Sequence, residues 1–277
     1  MKDVKLITPL SGRSLIVKMD DFMPDVVNIT EEQYDKANSA IFNEYVSMSC
    51  KKSDKKKLFL VFEGIDGSGK TTLSKAVAEK LGAIWTKEPT FTSEEADTLN
   101  LNSKDDIDRE IEFCIDRIKH QSFIKSTLET NSLVCDRYIW SGLTYSLVFN
   151  QSAFCFAQAM YKHQYFIKPD YYILVDAPID VCMERRQFSK ACANDNCPHN
   201  TVLKNNGCNY WEIWDSLQQC EKYINKARSN LIKLRGAYLN TESLVGSKSA
   251  TIIVVNNSSI DKTVDEILLK IGEKNGR

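Results

Sequence analysis

Gly64-Ile65-Asp66-Gly67-Ser68-Gly69-Lys70-Thr71 sets glycines, a lysine and a hydroxyl at the spacing G-x-x-x-x-G-K-[ST]. Glycines let successive backbone N–H groups turn inward on an anion, and a helix starting where the loop ends adds its partial positive charge. In such a loop Lys70 reaches the β- and γ-phosphates of a nucleoside triphosphate, and the Thr71 hydroxyl holds Mg²⁺. The pattern predicts a nucleoside triphosphate site on Gly64, Asp66, Gly67, Ser68, Gly69, Lys70, Thr71 and Thr72. A second group, Asp136-Arg137-Tyr138, follows the apolar run Leu133-Val134-Cys135. Ligands of open α/β sheets bind beyond the carboxyl ends of strands. Asp136 there could order Mg²⁺ or its waters, and Arg137 could span donor and acceptor phosphates.

A third group sits on a predicted helix near residues 104–128. With Ile111 at zero and about 100° per residue, Ile107, Cys114, Ile115 and Ile118 fall within roughly 60° of it, a core stripe. Phe113, Arg117 and His120 fall near the opposite side, at about 200°, 240° and 180° by the same arithmetic. That grouping suits a cleft in which the Phe113 ring stacks on a base and Arg117 reads its edge.

These groups need a scaffold, and the flanking sequence supplies one. Leu58-Phe59-Leu60-Val61-Phe62 before the loop reads as a buried strand, and Leu73, Val77 and Leu81 after it recur at helical spacing until Gly82. Leu133–Asp136, Tyr171–Asp176 and Thr251–Val255 are short, continuous and β-rich, as strands covered on both faces should be. Val264, Ile267, Leu268 and Ile271 mark an amphipathic closing helix. This alternation predicts an α/β three-layer fold, a parallel sheet flanked by helices, over residues 57–277. Residues 1–56 read as a small N-terminal extension of unknown role. It should hold a hairpin around Ser11-Gly12-Arg13, a helix capped at Thr30 and running to about residue 47, and a lysine-rich linker.

Composition narrows the class. The chain has 277 residues, 43% of them hydrophobic and 26% charged, with a net charge of −1. A near-neutral balance argues against nucleic-acid or membrane-surface binding, and no apolar run nears the roughly 18 residues of a membrane span. Nine scattered cysteines and no signal peptide point to reduced thiols in the cytoplasm.

Together the motifs resemble the thymidylate kinase family. Phe62-Glu63-Gly64 through Lys70-Thr71-Thr72 looks like its opening signature, and Lys87-Glu88-Pro89 is similar to its Arg-Glu-Pro segment. Phe113-x-x-Asp116-Arg117-x-x-His120 and Asp136-Arg137-Tyr138-x-x-Ser141 follow in the family's order, as do Lys168-Pro169-Asp170, Pro178 and Arg185. The resemblance covers about residues 57–272. It implies a homodimeric enzyme that moves the γ-phosphoryl of ATP to dTMP with Mg²⁺. Asp66 would bond the sugar 3′-hydroxyl, Phe113 and Arg117 would hold thymine with Ser141 lining the same pocket, and Arg137 would touch the phosphates. Tyr145 or Tyr210 would crowd the 2′ position. With Gly67 in the loop where some members carry arginine, Arg185, Arg186 and Lys190 become the lid cations, in a lid around 184–209.

Two departures stand out. No arginine lies between Pro89 and Arg109 to meet the acceptor phosphate, leaving Lys87 or Arg109 as substitutes. The lid also carries Cys192, Cys197, His199 and Cys208, a donor set that could bind Zn²⁺. Two other functions are compatible with a phosphate loop. A deoxynucleoside kinase would need a base for its sugar-hydroxyl acceptor, with Glu63 or Asp136 available. A nucleotide switch of the GTPase kind would need N-K-x-D, and Asn225-Lys226-Ala227-Arg228 lacks the aspartate.

Overall fold

The computed structural model describes residues 2–7, 14–19, 26–28, 30, 32–33, 35–36, 57–101, 104–161, 166–190, 225–240, 250–256 and 259–275. Strand β4 (Phe59–Glu63) is buried along its whole length, because helices cover both its faces. Its side chains alternate accordingly. Leu60 and Phe62 pack with Leu73 and Val77 of α1 (Lys70–Leu81) and with Val264, Ile267 and Ile271 of the closing helix α8 (Ile260–Asn275). Phe59 and Val61 face the other core, made with α3 (Asp106–Thr130), α4 (Ile139–Phe149), α5 (Gln151–Tyr161) and the helix over 225–240, termed α7.

The sheet has five strands in the order β5-β6-β4-β7-β8, all parallel, with β5 at Ile84–Lys87, β6 at Leu133–Asp136, β7 at Tyr171–Asp176 and β8 at Ala250–Val255. The expected three-layer fold and every predicted strand are therefore present. The edge strand β5, with Ile84 exposed, was not legible as a strand. Two short elements complete the core, α2 (Ser93–Thr98) and α6 (Ile179–Lys190). Gly82 ends α1 in the left-handed conformation at φ 60°, as its position suggested.

In the extension, β1 (Lys2–Ile7) pairs antiparallel with β2 (Ser14–Met19), as the predicted hairpin requires, and parallel with β3 (Val26–Asn28). The cap at Thr30 is a reciprocal box with Gln33, at 3.1 and 2.9 Å. The far end of that predicted helix lies outside the described residues.

Candidate active site

The carboxyl end of β4 delivers the phosphate loop into the crevice between β6 and β7, the position open parallel sheets reserve for ligands. The loop's path needs glycine. Gly67 has φ 83°, and a Cβ there would lie 2.6 Å from the Cys182 carbonyl oxygen. Gly69, at φ 92°, sits at the N-cap of α1 and aims that helix's free N–H groups at the loop. Asn256 Nδ2 donates to the Ser68 carbonyl at 2.6 Å, and Arg185 Nη1 to the Gly67 carbonyl at 3.0 Å. The Ser68 hydroxyl is buried and unpartnered. Lys70 is buried too and holds the Ile65 carbonyl at 3.2 Å. Burial above all, with Arg137 nearby, pulls its ammonium down to a pKa of about 8.

Thr71 Oγ1 donates to Asp136 Oδ2 at 2.5 Å, while Asp136 Oδ1 is buried without a partner. A hydroxyl beside a carboxylate with an unused oxygen, at the helix mouth, is the donor set that Mg²⁺ takes in phosphate sites. The two residues therefore fit the ion. Thr72 faces outward on α1, exposed.

Arg137 stands just past β6 with φ 71°, a left-handed conformation that non-glycine residues rarely hold. Its guanidinium pairs with Asp66, donates to Ser141 Oγ at 3.2 Å and lies 5.7 Å from the Tyr145 ring centre. Behind it, Glu63 is fully buried. Its carboxylate accepts from Tyr138 N (2.8 Å), Ser141 N (3.2 Å) and Ser141 Oγ (2.7 Å), capping the start of α4. Burial, outweighing those donors and Arg137, pushes its pKa up to about 7.

Beyond Arg137 the crevice opens into a cavity of about 330 Å³, within the range of small-ligand pockets. Asp66, Phe113, Arg117, Arg137, Ser141 and Tyr145 all line it, so the predicted substrate residues converge. The Phe113 ring stacks on Phe91 with centroids 5.8 Å apart. Arg109 reaches the cavity, whereas Lys87 is exposed and outside its lining.

The helical-wheel expectation needs one correction. Phe113 and Arg117 line the cleft, but His120, grouped with them, does not, and both Arg117 and His120 are buried, 4% and 5% exposed. Glu88, just past β5, holds both, accepting from Arg117 Nε at 2.5 Å and meeting His120 Nδ1 at 2.9 Å; His120 Nε2 contacts Thr86 Oγ1 at 3.0 Å. His120 is thus a support for Arg117 and not a cleft residue. Glu88, His120 and Cys135 converge closely enough to suggest a metal cluster, but the Glu88 carboxylate is already committed on both oxygens. Glu110 and Tyr161 went unnoticed in the sequence, and Glu63 and Glu88 were read only as a possible base and as part of the Lys87-Glu88-Pro89 segment, because no local spacing marks a buried carboxylate or its distant partner. Arg186 lies on α6, and Cys192, Cys197, His199, Cys208 and Tyr210 fall outside the described residues.

A family model described as thymidylate kinase matches residues 62–235. A probable thymidylate kinase of Methanocaldococcus jannaschii is 38% identical over 132 residues, which span 46% of this chain and 69% of that one. One from Methanococcus maripaludis strain C7 is 35% identical over 220 residues, 78% of this chain and 96% of its own length. Among solved structures, a thymidylate kinase from Candida albicans superposes with a TM-score of 0.53 at 17% identity, covering 80% of this chain and 93% of that chain. That from Ehrlichia chaffeensis gives 0.51 at 18%, over 78% and 100%.

Proposed function

The chain belongs to the thymidylate kinase family, and we propose that it moves the γ-phosphoryl of ATP to dTMP, giving dTDP and ADP. One observation carries this reading: a single crevice joins the phosphate loop to a cavity walled in part by Phe113, Tyr145 and Phe149, with Arg137 at the junction. A phosphate acceptor is already ionised near neutral pH, so the protein supplies positioning and charge rather than a general base. Lys70 and the loop N–H groups hold the donor phosphates, and Arg137 faces both donor and acceptor. Thr71 and Asp136 would hold Mg²⁺, which would supply neutralising charge to the phosphates. Phe113 stacks on the base, Arg117 contacts its edge with Ser141 lining the same pocket, and Asp66 and Tyr145 surround the sugar. Arg185, already at the loop, and Arg186 would serve as lid cations that help exclude water; the rest of the expected lid, residues 191–209, lies outside the described residues.

A sugar-hydroxyl acceptor would need a base in the crevice. Glu63 is sealed beneath α4 with its donors in place, which disfavours the deoxynucleoside kinase alternative. Family resemblance supports a homodimer, and the described cysteines (Cys114, Cys135, Cys155 and Cys182, all free thiols) support a cytoplasmic setting. Among the described residues no helix is long and apolar enough to cross a membrane. ATP consumption against a panel of nucleosides and nucleoside monophosphates tests the assignment. Turnover with dTMP and none with thymidine is expected; the reverse would refute it.

A further inference from the structure

Glu110 lies on α3 seven residues before Arg117 and three before Phe113, so all three share the cavity face of that helix. It is 5% exposed, yet it lines the cavity. Acidic side chains are almost never this buried unless paired. Its partners are hydroxyls: Tyr161 OH donates to Oε1 at 2.5 Å and Ser146 Oγ to Oε2 at 3.1 Å. Tyr161 also accepts from Arg117 Nη1, so donor and acceptor are linked side by side through one hydroxyl. The Glu88 and Tyr161 bonds use Nε and Nη1 of Arg117, and neither uses Nη2. Backbone crowds the carboxylate as well: a Cβ at Gly142 would lie 2.8 Å from Oε1.

We propose that Glu110 is a specificity-determining residue for the acceptor, accepting the N3–H of a 4-keto pyrimidine while Arg117 donates to its O4. This rests on the dTMP kinase reading and deepens it. Thymine and uracil present a carbonyl beside an N–H, the complement of a guanidinium beside a carboxylate. Cytosine presents an amino group beside a bare ring nitrogen, whose lone pair would face the carboxylate. Both oxygens of Glu110 already accept from hydroxyls, which holds the group as an acceptor. Burial works against that charge and raises its pKa, over the opposing pull of Arg117, Tyr161 and Ser146. An imino proton therefore supplies a third donor where one is most needed. A site built to hydrogen-bond its substrate rejects analogues that leave its buried groups unpaired.

The test compares kcat/KM for dTMP, dUMP and dCMP on the full-length protein and on Glu110→Gln, at saturating ATP. A glutamine can offer either its oxygen or its amide N–H to the base. The variant should lose about tenfold or more on dTMP, the usual scale for a hydrogen bond to a charged group. Its dTMP:dCMP ratio should fall by at least as much. An active, folded variant with an unchanged ratio overturns the proposal while leaving the kinase reading intact. A parent enzyme that phosphorylates no nucleoside monophosphate overturns both. On the unaltered protein, 3-methyl-dUMP, which keeps both carbonyls but has no imino proton, should be used at least about tenfold less well than dUMP. Equal use would overturn the proposal whether or not the variant folds.

Discussion

Glu88→Ala removes the carboxylate that buried Arg117 and His120 share. Arg117 Nε lies 2.5 Å from Glu88 Oε2, with side chains 5% and 1% exposed. Removing one partner of such a pair strands the other charge, at a cost of about 3–5 kcal/mol. Arg117 keeps Tyr161, and Glu110 remains nearby, so the lower end, about 3 kcal/mol, is expected. At roughly 2–4 °C per kcal/mol for a domain of this size, the melting temperature should drop by about 6–12 °C. The same loss frees the guanidinium that faces the base, so KM for dTMP should rise about tenfold with a smaller change in kcat. Glu88→Gln separates charge from shape. Its amide oxygen can still take the Arg117 N–H, and its NH₂ can donate to His120 Nδ1 once the imidazole proton moves to Nε2 and bonds Thr86 instead. That variant should melt between the other two. Calorimetry and steady-state kinetics read both effects. An alanine variant that melts within about 1 °C of the parent and keeps its KM would refute the claim that Glu88 holds Arg117, since that is well under the expected shift.

Gly67→Ala places a methyl 2.6 Å from the Cys182 carbonyl at φ 83°. The backbone alone costs about 1–2 kcal/mol, and the loop must also shift, so KM for ATP should rise at least about tenfold; unchanged ATP titration would show the loop has slack. Asp136→Asn should raise the Mg²⁺ concentration for half-maximal activity by about 10–100-fold with the fold intact, and an unchanged midpoint would remove Asp136 from the metal site. Glu63 has a folded pKa of about 7 against 4.5 when exposed, so between those values the folded chain carries the extra proton. Stability should therefore fall by roughly 3 kcal/mol as pH rises through that window, and Glu63→Gln should flatten the profile in denaturant titrations.

What the sequence revealed and what it hid divide along one physical line. The phosphate loop, β4 and α1 were legible because their determinants lie within a few residues: glycines for the turn, an apolar run before it, helical spacing up to Gly82. Asp136 and Arg137 were legible because a strand end fixes where they must face. Phe113 and Arg117 could be placed on one helix side by periodicity, but periodicity measures direction and not depth. A wheel turns Arg117 toward a cleft without saying how deep in it the side chain lies. A second layer, α4 and α5, covers that side here, and the space between becomes the cavity. Glu110 shares the Arg117 direction and was invisible for the same reason. Its meaning depends on Tyr161, 51 residues away, and on Ser146, 36 away.

The extension shows the same long-range logic from the other side of α3. Gln33 Nε2 donates to Asp108 at 2.7 Å, and Lys36 joins Lys104 on the buried carboxylate of Glu112, two residues from Glu110. β2 and β3 meanwhile lie against α5, the helix that carries Tyr161. The extension thus touches the two helices that border the proposed base pocket. Such contacts suit a brace of α3 against α5, because a displacement of even about 1 Å there would change how Arg117 and Glu110 meet a base.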